Sequence, residues 1–212
     1  LRKETWLVVQ RGREMLICPL SPKGLDMDAP QDTFRTTRLH LDSLVSTDAE
    51  TLFAYRGDDA VARYQGWRPK DLAEARRFID EQQSTPFRRP DSWAQLAIRD
   101  RDTGELLGDL GVHFPASPDD AIEFGVSLRP DRQGKGYARE AMSAMLDASF
   151  SDWGYRRAVG SVDPRNVASI ALLKSLGFRQ EAHHVESYFF RGEWVDDMIF
   201  AMLAREWRSS SR

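Results

Sequence analysis

Arg129-Pro130-Asp131-Arg132-Gln133-Gly134-Lys135-Gly136-Tyr137-Ala138-Arg139-Glu140-Ala141 is the stretch whose reading decides the fold. It follows an apolar run, Ala121 to Leu128 (AIEFGVSL), which reads as a strand. It leads into a pattern in which Ala138, Ala141, Met142, Met145, Leu146 and Phe150 recur three and four apart, as on an amphipathic helix. A strand-to-helix turn carrying Gly134 and Gly136 lets the backbone approach a ligand closely and aims unpaired N–H groups at an anion. Arg132, Lys135 and Arg139 add positive charge where phosphates would lie. A Walker A loop, GxxxxGK followed by Ser or Thr, is absent, and no third glycine completes a Rossmann fingerprint. A phosphate-bearing ligand is the favoured reading. A glycine-capped surface turn is the plainer alternative.

Upstream of this turn the chain alternates in short runs. Thr36–Val45 reads as a first strand, with Leu39 and Leu41 on one side. Thr47-Asp48-Ala49-Glu50 resembles a capping box ahead of a helix whose apolar face holds Ala49, Leu52 and Phe53. Asp58–Trp67 predicts a short helix or turn, and Pro69–Gln83 a further amphipathic helix with Pro69 near its start. Trp93–Arg99, Glu105–Phe114 and Ala121–Leu128 predict three more strands in a meander. Gly108 and Gly111 within them suggest a close approach by something else. Downstream, the helix from Gly136 should run to about Trp153, followed by a strand at Arg157–Val162. Asn166–Ser175 predicts a helix ending at Gly177. Phe178–His184 and Tyr188–Phe190 read as short extended pieces, and Trp194–Leu203 as the closing strand. The expectation is a mixed α/β sheet with flanking helices, without repeated βα units.

Composition narrows the function class. In 212 residues, 30 Lys and Arg face 33 Asp and Glu, a formal net charge of -3, which argues against a general nucleic-acid binder. Hydrophobic residues make up 41%, enough for a core of one domain. Cys18 is the single cysteine, so neither an intramolecular disulfide nor a cysteine metal cage is available. No apolar run approaches membrane-spanning length, and the first residues do not read as a signal peptide. A cytoplasmic enzyme is the expected class. Residues 1–33 have no period, and CPLSPKGLDMDAPQD holds three prolines and a glycine. They read as a flexible or non-native extension, with Met15 or Met27 as candidate natural starts; the alternative is that WLVVQ packs on the domain as an edge strand. The domain itself is expected over 34–207, with a tail at 208–212.

GVSLRPDRQGKGYAREAM resembles the acyl-CoA-binding segment of the GNAT N-acetyltransferases. Those enzymes cradle the CoA pyrophosphate on a Q/R-x-x-G-x-G/A loop; here its positions are Asp131, Arg132, Gln133, Gly134, Lys135 and Gly136, with Asp131 departing from the pattern. Asn166, Ser169 and the run Leu172–Phe178 resemble a second segment of that superfamily. FRTTRLHL and WVDDMIFAMLAREW extend the likeness toward its RimJ/RimL-like branch, covering roughly 34 to 207. The resemblance implies a twisted, mostly antiparallel sheet of about seven strands with splayed middle strands. It also implies acetyl-CoA as donor and an amine as acceptor: a protein N-terminus in some members; small amines, amino acids or antibiotics in others. Neither nucleic acid nor membrane is an expected partner, and the assembly is expected to be a monomer or homodimer.

Site residues follow from the resemblance. Val126, Ser127 and Leu128 would offer backbone groups to the pantetheine arm. Arg132, Gln133, Gly134, Lys135, Gly136, Tyr137 and Ala138 would form the phosphate loop, and Asn166 would bond the arm or cap its helix. Amine attack on a thioester needs proximity, a neutral amine and a stabilised thiolate. Glu123 shares a strand face with Gly125 and Ser127 and is the candidate base; a carboxylate without a proton role is the alternative. Many GNAT enzymes carry a tyrosine seven residues past the helix-opening asparagine. Leu173 stands there and cannot donate a proton, so Ser169 is the substitute acid and Tyr188 a second option. Tyr64, Trp67 and Phe87 are candidate acceptor-side aromatics, with ordinary packing an equal alternative. His40, His113, His183 and His184 lack metal-ligand spacing, so no metal is expected. A non-catalytic acyl-CoA sensor on the same fold is the competing class; it would keep Gly134, Gly136 and Asn166 but need no base.

Overall fold

The computed structural model describes residues 33–117 and 120–210. The expected N-terminal extension, apart from Thr33, and its WLVVQ segment lie outside the described residues. The strands are β1 (Phe34–Arg35), β2 (Leu39–Ser43), β3 (Ser92–Asp100), β4 (Leu106–Phe114), β5 (Ile122–Leu128), β6 (Arg157–Val162), β7 (Arg179–Phe190) and β8 (Glu193–Leu203). They form one sheet in the order β1-β2-β3-β4-β5-β6-β8-β7. Every neighbouring pair is antiparallel except β5 with β6. The sheet thus has eight strands rather than about seven. The extra one is β1, a two-residue piece folded back on β2.

The helices are α1 (Ala49–Gly57), α2 (Asp59–Ala62), α3 (Leu72–Ser84), α4 (Tyr137–Asp147), α5 (Val167–Ser175) and α6 (Ala204–Ser210). Several ends differ from the sequence expectation because acidic side chains outcompete it. Asp48 accepts from the Val45 backbone N–H and pairs with Arg99, so α1 begins after a 3-10 turn rather than from a Thr47 box. Asp71 caps the Glu74 N–H, which moves the start of α3 past Pro69 to Leu72. The helix after Gly136 closes in a wider π turn over Ala148–Asp152. The two extended pieces expected after Gly177 are one strand, interrupted by a register shift between His184 and Tyr188. α6 runs to Ser210, through part of the expected tail.

The sheet buries both faces. Leu39, Leu41, Leu96, Ile98, Leu110, Val112, Phe124, Val126, Ala158 and Phe200 belong to the cluster that also contains Met142, Met145 and Leu146 of α4. Ala97 and Leu106 on the opposite face pack with Leu52, Tyr55, Trp67, Phe78 and Ile79 of the α1–α3 layer. Alternation along β5 therefore sends Ile122, Phe124, Val126 and Leu128 toward α4, and Glu123, Gly125 and Ser127 toward the α1–α3 layer. Gly108 is required by the sheet itself, since a Cβ there would lie 2.1 Å from the Ser127 carbonyl oxygen.

One feature positions the site. β5 and β6 pair only at Ile122↔Ala158 and Glu123↔Val159, then part. The Arg129 N–H bonds the Leu107 carbonyl, so odd-numbered residues of β5 spend their backbone groups on β4. By the same alternation the N–H and C=O groups of Val126 and Leu128 turn toward the opened seam, where the Leu128 carbonyl accepts from Gln133 Nε2 at 3.1 Å.

Candidate active site

A groove of about 700 Å³ lies along that seam. Its lining brings together Val126, Ser127, Leu128, Gln133, Gly134, Gly136, Tyr137, Ala138, Asn166 and Ser169 with Tyr64 from the far side. These are residues that the sequence assigns to CoA binding, with Ser169 as a candidate acid and Tyr64 as a candidate acceptor contact. Gly134 (φ 71) and Gly136 (φ 82) both take the left-handed conformation that glycine favours, and Gly136 stands at the N-cap of α4. A Cβ on Gly134 would meet no protein atom within 4 Å, so the space above the loop is open to a ligand. The loop is braced from β2: Arg38 donates to the Lys135 carbonyl (3.0 Å), pairs with Glu140 (2.7 Å) and lies 4.5 Å over the Tyr137 ring.

The charged neighbours are arranged differently from the expectation. Arg132 turns away from the groove and forks onto both oxygens of Glu105 (2.9 and 2.7 Å). Lys135 Nζ bonds the Asp131 carbonyl at 2.9 Å. Asp131 itself is ion-paired with Arg129 and Arg132, which offsets its charge beside the loop. Arg139 lines the groove and is exposed. Phosphate binding here would rest on the loop N–H groups and the α4 N-terminus, with Arg139 as the side-chain cation.

Asn166 accepts the Ser169 N–H on Oδ1 at 3.2 Å and so caps α5 while still lining the groove. Ser169 is buried and also faces the groove. Leu173, where a tyrosine is common, is in the core.

Glu123 sits three residues before Val126 on β5, 8% exposed, with Oε1 making no hydrogen bond among the described residues. Burial raises its pKa well above the ordinary carboxylate value, and the nearby Asp197 carboxylate raises it further. Asp197, on β8, accepts a hydrogen bond from the buried Ser161 hydroxyl. The pairing of Glu123 with Val159, and of β6 with β8, puts Glu123, Ser161 and Asp197 on one face of the sheet. Across β4, Glu123 is paired with His113, whose pKa is lowered by burial. Tyr188 is half-buried opposite Val195, on the Asp197 face of the β7–β8 hairpin.

Two expected acceptor aromatics are packing residues. Trp67 is buried and stacks on Phe78 with ring centroids 4.3 Å apart. Phe87 joins Phe34, Phe114 and Trp153 in an aromatic cluster on the α4 face. Tyr64 is different: its hydroxyl donates to the Arg165 carbonyl at 3.0 Å, bridging the groove to the turn before α5. Sequence reasoning missed Asp197 and Gln65. WVDDMIF is an unremarkable closing strand until its register with Ser161 is known, and Gln65 lies in Asp58–Trp67, which reads only as a short helix or turn. Among the described residues, no group of three His, Cys, Asp or Glu is gathered to hold a metal, and no helix is long and apolar enough to cross a membrane.

The family model of the acetyltransferase (GNAT) domain matches residues 38–179. The chain belongs to the GNAT acetyltransferase family. It is 29% identical over 177 residues to the uncharacterized N-acetyltransferase p20 of Bacillus licheniformis, covering 83% of this chain and 98% of that protein. It is 34% identical over 76 residues to a spermidine N(1)-acetyltransferase of Vibrio cholerae, 36% of this chain and 44% of that one. It is 25% identical over 122 residues to the ribosomal protein uS5-alanine N-acetyltransferase of Escherichia coli, 57% and 63% of the two chains. A crystal structure of a probable GNAT acetyltransferase from Chromobacterium violaceum superposes with a TM-score of 0.73 at 25% identity, covering 90% of this chain and 99% of that one. As a GNAT enzyme the protein is an acyl-CoA-dependent N-acyltransferase with a mixed α/β fold.

Proposed function

We propose that this GNAT enzyme binds acetyl-CoA along the seam between β5 and β6 and transfers the acetyl group to a primary amine approaching from the Glu123 face. The phosphates would lie on the 132–136 loop, and the pantetheine arm would pair with Val126 and Leu128 as an added strand. The amine nitrogen attacks the thioester carbonyl carbon, the C–S bond breaks, and the amine proton passes to Glu123 directly or through water. The thiolate leaves and takes a proton, for which Ser169 is the candidate donor from α5 and Tyr188 the second. The observation that carries this reading is the buried, unpartnered Glu123 Oε1 at the point where the seam opens. An elevated Glu123 pKa brings the base closer to an α-amine near 8.

The leading acceptor is the N-terminal amine of a protein, in keeping with the RimJ/RimL-like segments and the partial likeness to a ribosomal-protein acetyltransferase. The second reading is a small polycationic amine, favoured by two buried carboxylates, Glu123 and Asp197, on the acceptor face. Thiol release from acetyl-CoA across peptides, amino acids, polyamines and aminoglycosides decides between them. Turnover on peptide N-termini alone supports the first. Turnover confined to polyamines supports the second. Tight CoA binding with no turnover on any amine would leave a sensor and overturn both.

A further inference from the structure

The α1 side of the groove holds a buried ionic network that the transfer chemistry does not use. Asp109 on β4 is 0% exposed and accepts from four donors: Tyr55 Oη, Arg56 Nε (3.1 Å), Arg56 Nη2 and Gln95 Nε2. Arg56, 1% exposed, donates its remaining Nη1 to Gln65 Oε1 at 2.8 Å. A guanidinium has donors only, so the Gln65 amide orientation is settled: oxygen toward Arg56, nitrogen away from it. That nitrogen, Nε2, is buried and bonds nothing among the described residues. Ser127, cross-strand partner of Asp109 on β5, has a buried Oγ in the same condition. Gln65 and Ser127 both line the groove.

The segment that carries Gln65 is held from three directions. Arg56 fixes its side chain, Tyr64 bonds the Arg165 carbonyl, and Arg191 reaches from the β7–β8 turn to the carbonyls of Ala62 (2.9 Å) and Gln65 (3.2 Å). A buried N–H without an acceptor is costly, and native structures rarely leave one. Gln65 and Ser127, each with an unpartnered polar atom, line one groove otherwise walled here by Val61, Val126, Ala168 and Leu172, where a ligand amide can supply the missing partners.

We propose that Gln65 and Ser127 recognise an amide of the pantetheine arm, with Gln65 Nε2 donating to its carbonyl oxygen, and that the Arg56–Asp109 pair exists to hold Gln65 in that orientation. This rests on the reading of the groove as the acetyl-CoA site. The backbone of Val126 and Leu128 would pair with one side of the arm, while Gln65 and Ser127 fix its register along the seam. Register matters because a slip of the arm would carry the thioester past Glu123, which lies four residues, about 13 Å, from Ser127 along the strand.

The test is calorimetry on wild type and Gln65→Glu with two probes: CoA, and adenosine 3′,5′-bisphosphate, which lacks the arm. Gln65→Glu keeps an oxygen for Arg56 but replaces the ligand-facing donor. The expected result is a CoA affinity about 10- to 100-fold weaker with bisphosphate affinity unchanged, and Ser127→Ala changing CoA affinity in the same direction by less. A thermal midpoint at or above wild type confirms that the variant is folded, and Gln65→Leu serves as a second donor-free variant. Unchanged CoA affinity, or equal loss for both probes, overturns the role of Gln65 while leaving the groove as the CoA site. Wild-type protein that binds neither probe overturns the CoA reading of the groove and this proposal with it.

Discussion

At the scale of single residues, two buried acids do opposite things. Asp109 is surrounded by donors and holds its neighbours in place; Glu123 is deprived of them and is available for chemistry. Removing Asp109 strands the Arg56 guanidinium in the core, so Asp109→Ala should cost about 3–5 kcal/mol, read by denaturant unfolding. Glu123→Gln should instead lower kcat/KM by about 10²–10⁴, most visibly below the acceptor's own pKa, with CoA affinity nearly unchanged. Wild-type rates at neutral pH would remove Glu123 from the proton path. The same substitution has a stability signature. A carboxyl whose pKa is raised in the folded state holds its proton there after the unfolded chain has released it. Stability therefore falls as pH rises from the ordinary carboxylate range through the raised value, and the loss is complete above it. Glu123→Gln lifts that penalty, so its thermal midpoint should exceed wild type at pH 8, by about 2–4 °C for each kcal/mol recovered, with no gain near pH 4. His113 and Asp197 face the same carboxyl, and neutral His113 does not offset its charge.

At the scale of elements, the turn into α4 is where sequence and structure agree most closely. Gly134 and Gly136, the apolar face of α4, and Asn166 at the head of α5 were legible because each imposes a local rule on residue type: positive φ, a 3.6 period, a cap. The direction of the basic side chains was not legible. Arg132 is adjacent to the loop in sequence, yet Glu105, 27 residues earlier, captures it. Trp67 stays open between acceptor contact and packing in the sequence, because an aromatic next to a site and an aromatic beneath a helix look alike until Phe78 is seen stacked on it. These placements set the size of the expected effects. Gly136→Val puts a β-branched residue at φ 82, with Arg38 Nη2 at 3.4 Å from the new Cβ, so it should lower the thermal midpoint through local strain at the turn and raise the CoA Kd at least about tenfold by narrowing the cradle. Arg132→Ala should change CoA affinity by no more than about twofold, because its charge is already committed to Glu105. Calorimetry on the two variants side by side checks the contrast; a larger loss for Arg132→Ala would mean that the guanidinium leaves Glu105 when the ligand arrives.

At the scale of the whole molecule, the sheet is two antiparallel blocks, β1–β5 and β6–β8, joined as strands by only two residue pairs. Below those pairs the blocks diverge, and the groove occupies the gap. A ligand that pairs with Val126 and Leu128 would therefore act as a missing strand segment between the blocks, as well as a cargo. Two consequences are measurable together. First, the amides of Val126 and Leu128 point into the seam, so they should exchange with solvent faster than their β5 neighbours Gly125 and Ser127, whose N–H groups are spent on β4. CoA should slow Val126 and Leu128 and leave Gly125 and Ser127 little changed. Second, CoA at 100 times its Kd stabilises a protein that binds it only when folded by about 2.7 kcal/mol. For a domain of this size that is a rise in thermal midpoint of about 5–10 °C. Adenosine 3′,5′-bisphosphate, compared at the same multiple of its own Kd, should give the same thermal rise without protecting Val126 and Leu128. The thermal shift reports saturation alone, whereas the exchange pattern reports where the ligand pairs. Protection of Val126 and Leu128 by the bisphosphate would show that the seam closes on loop binding alone, and the arm would then no longer be needed to join the two blocks.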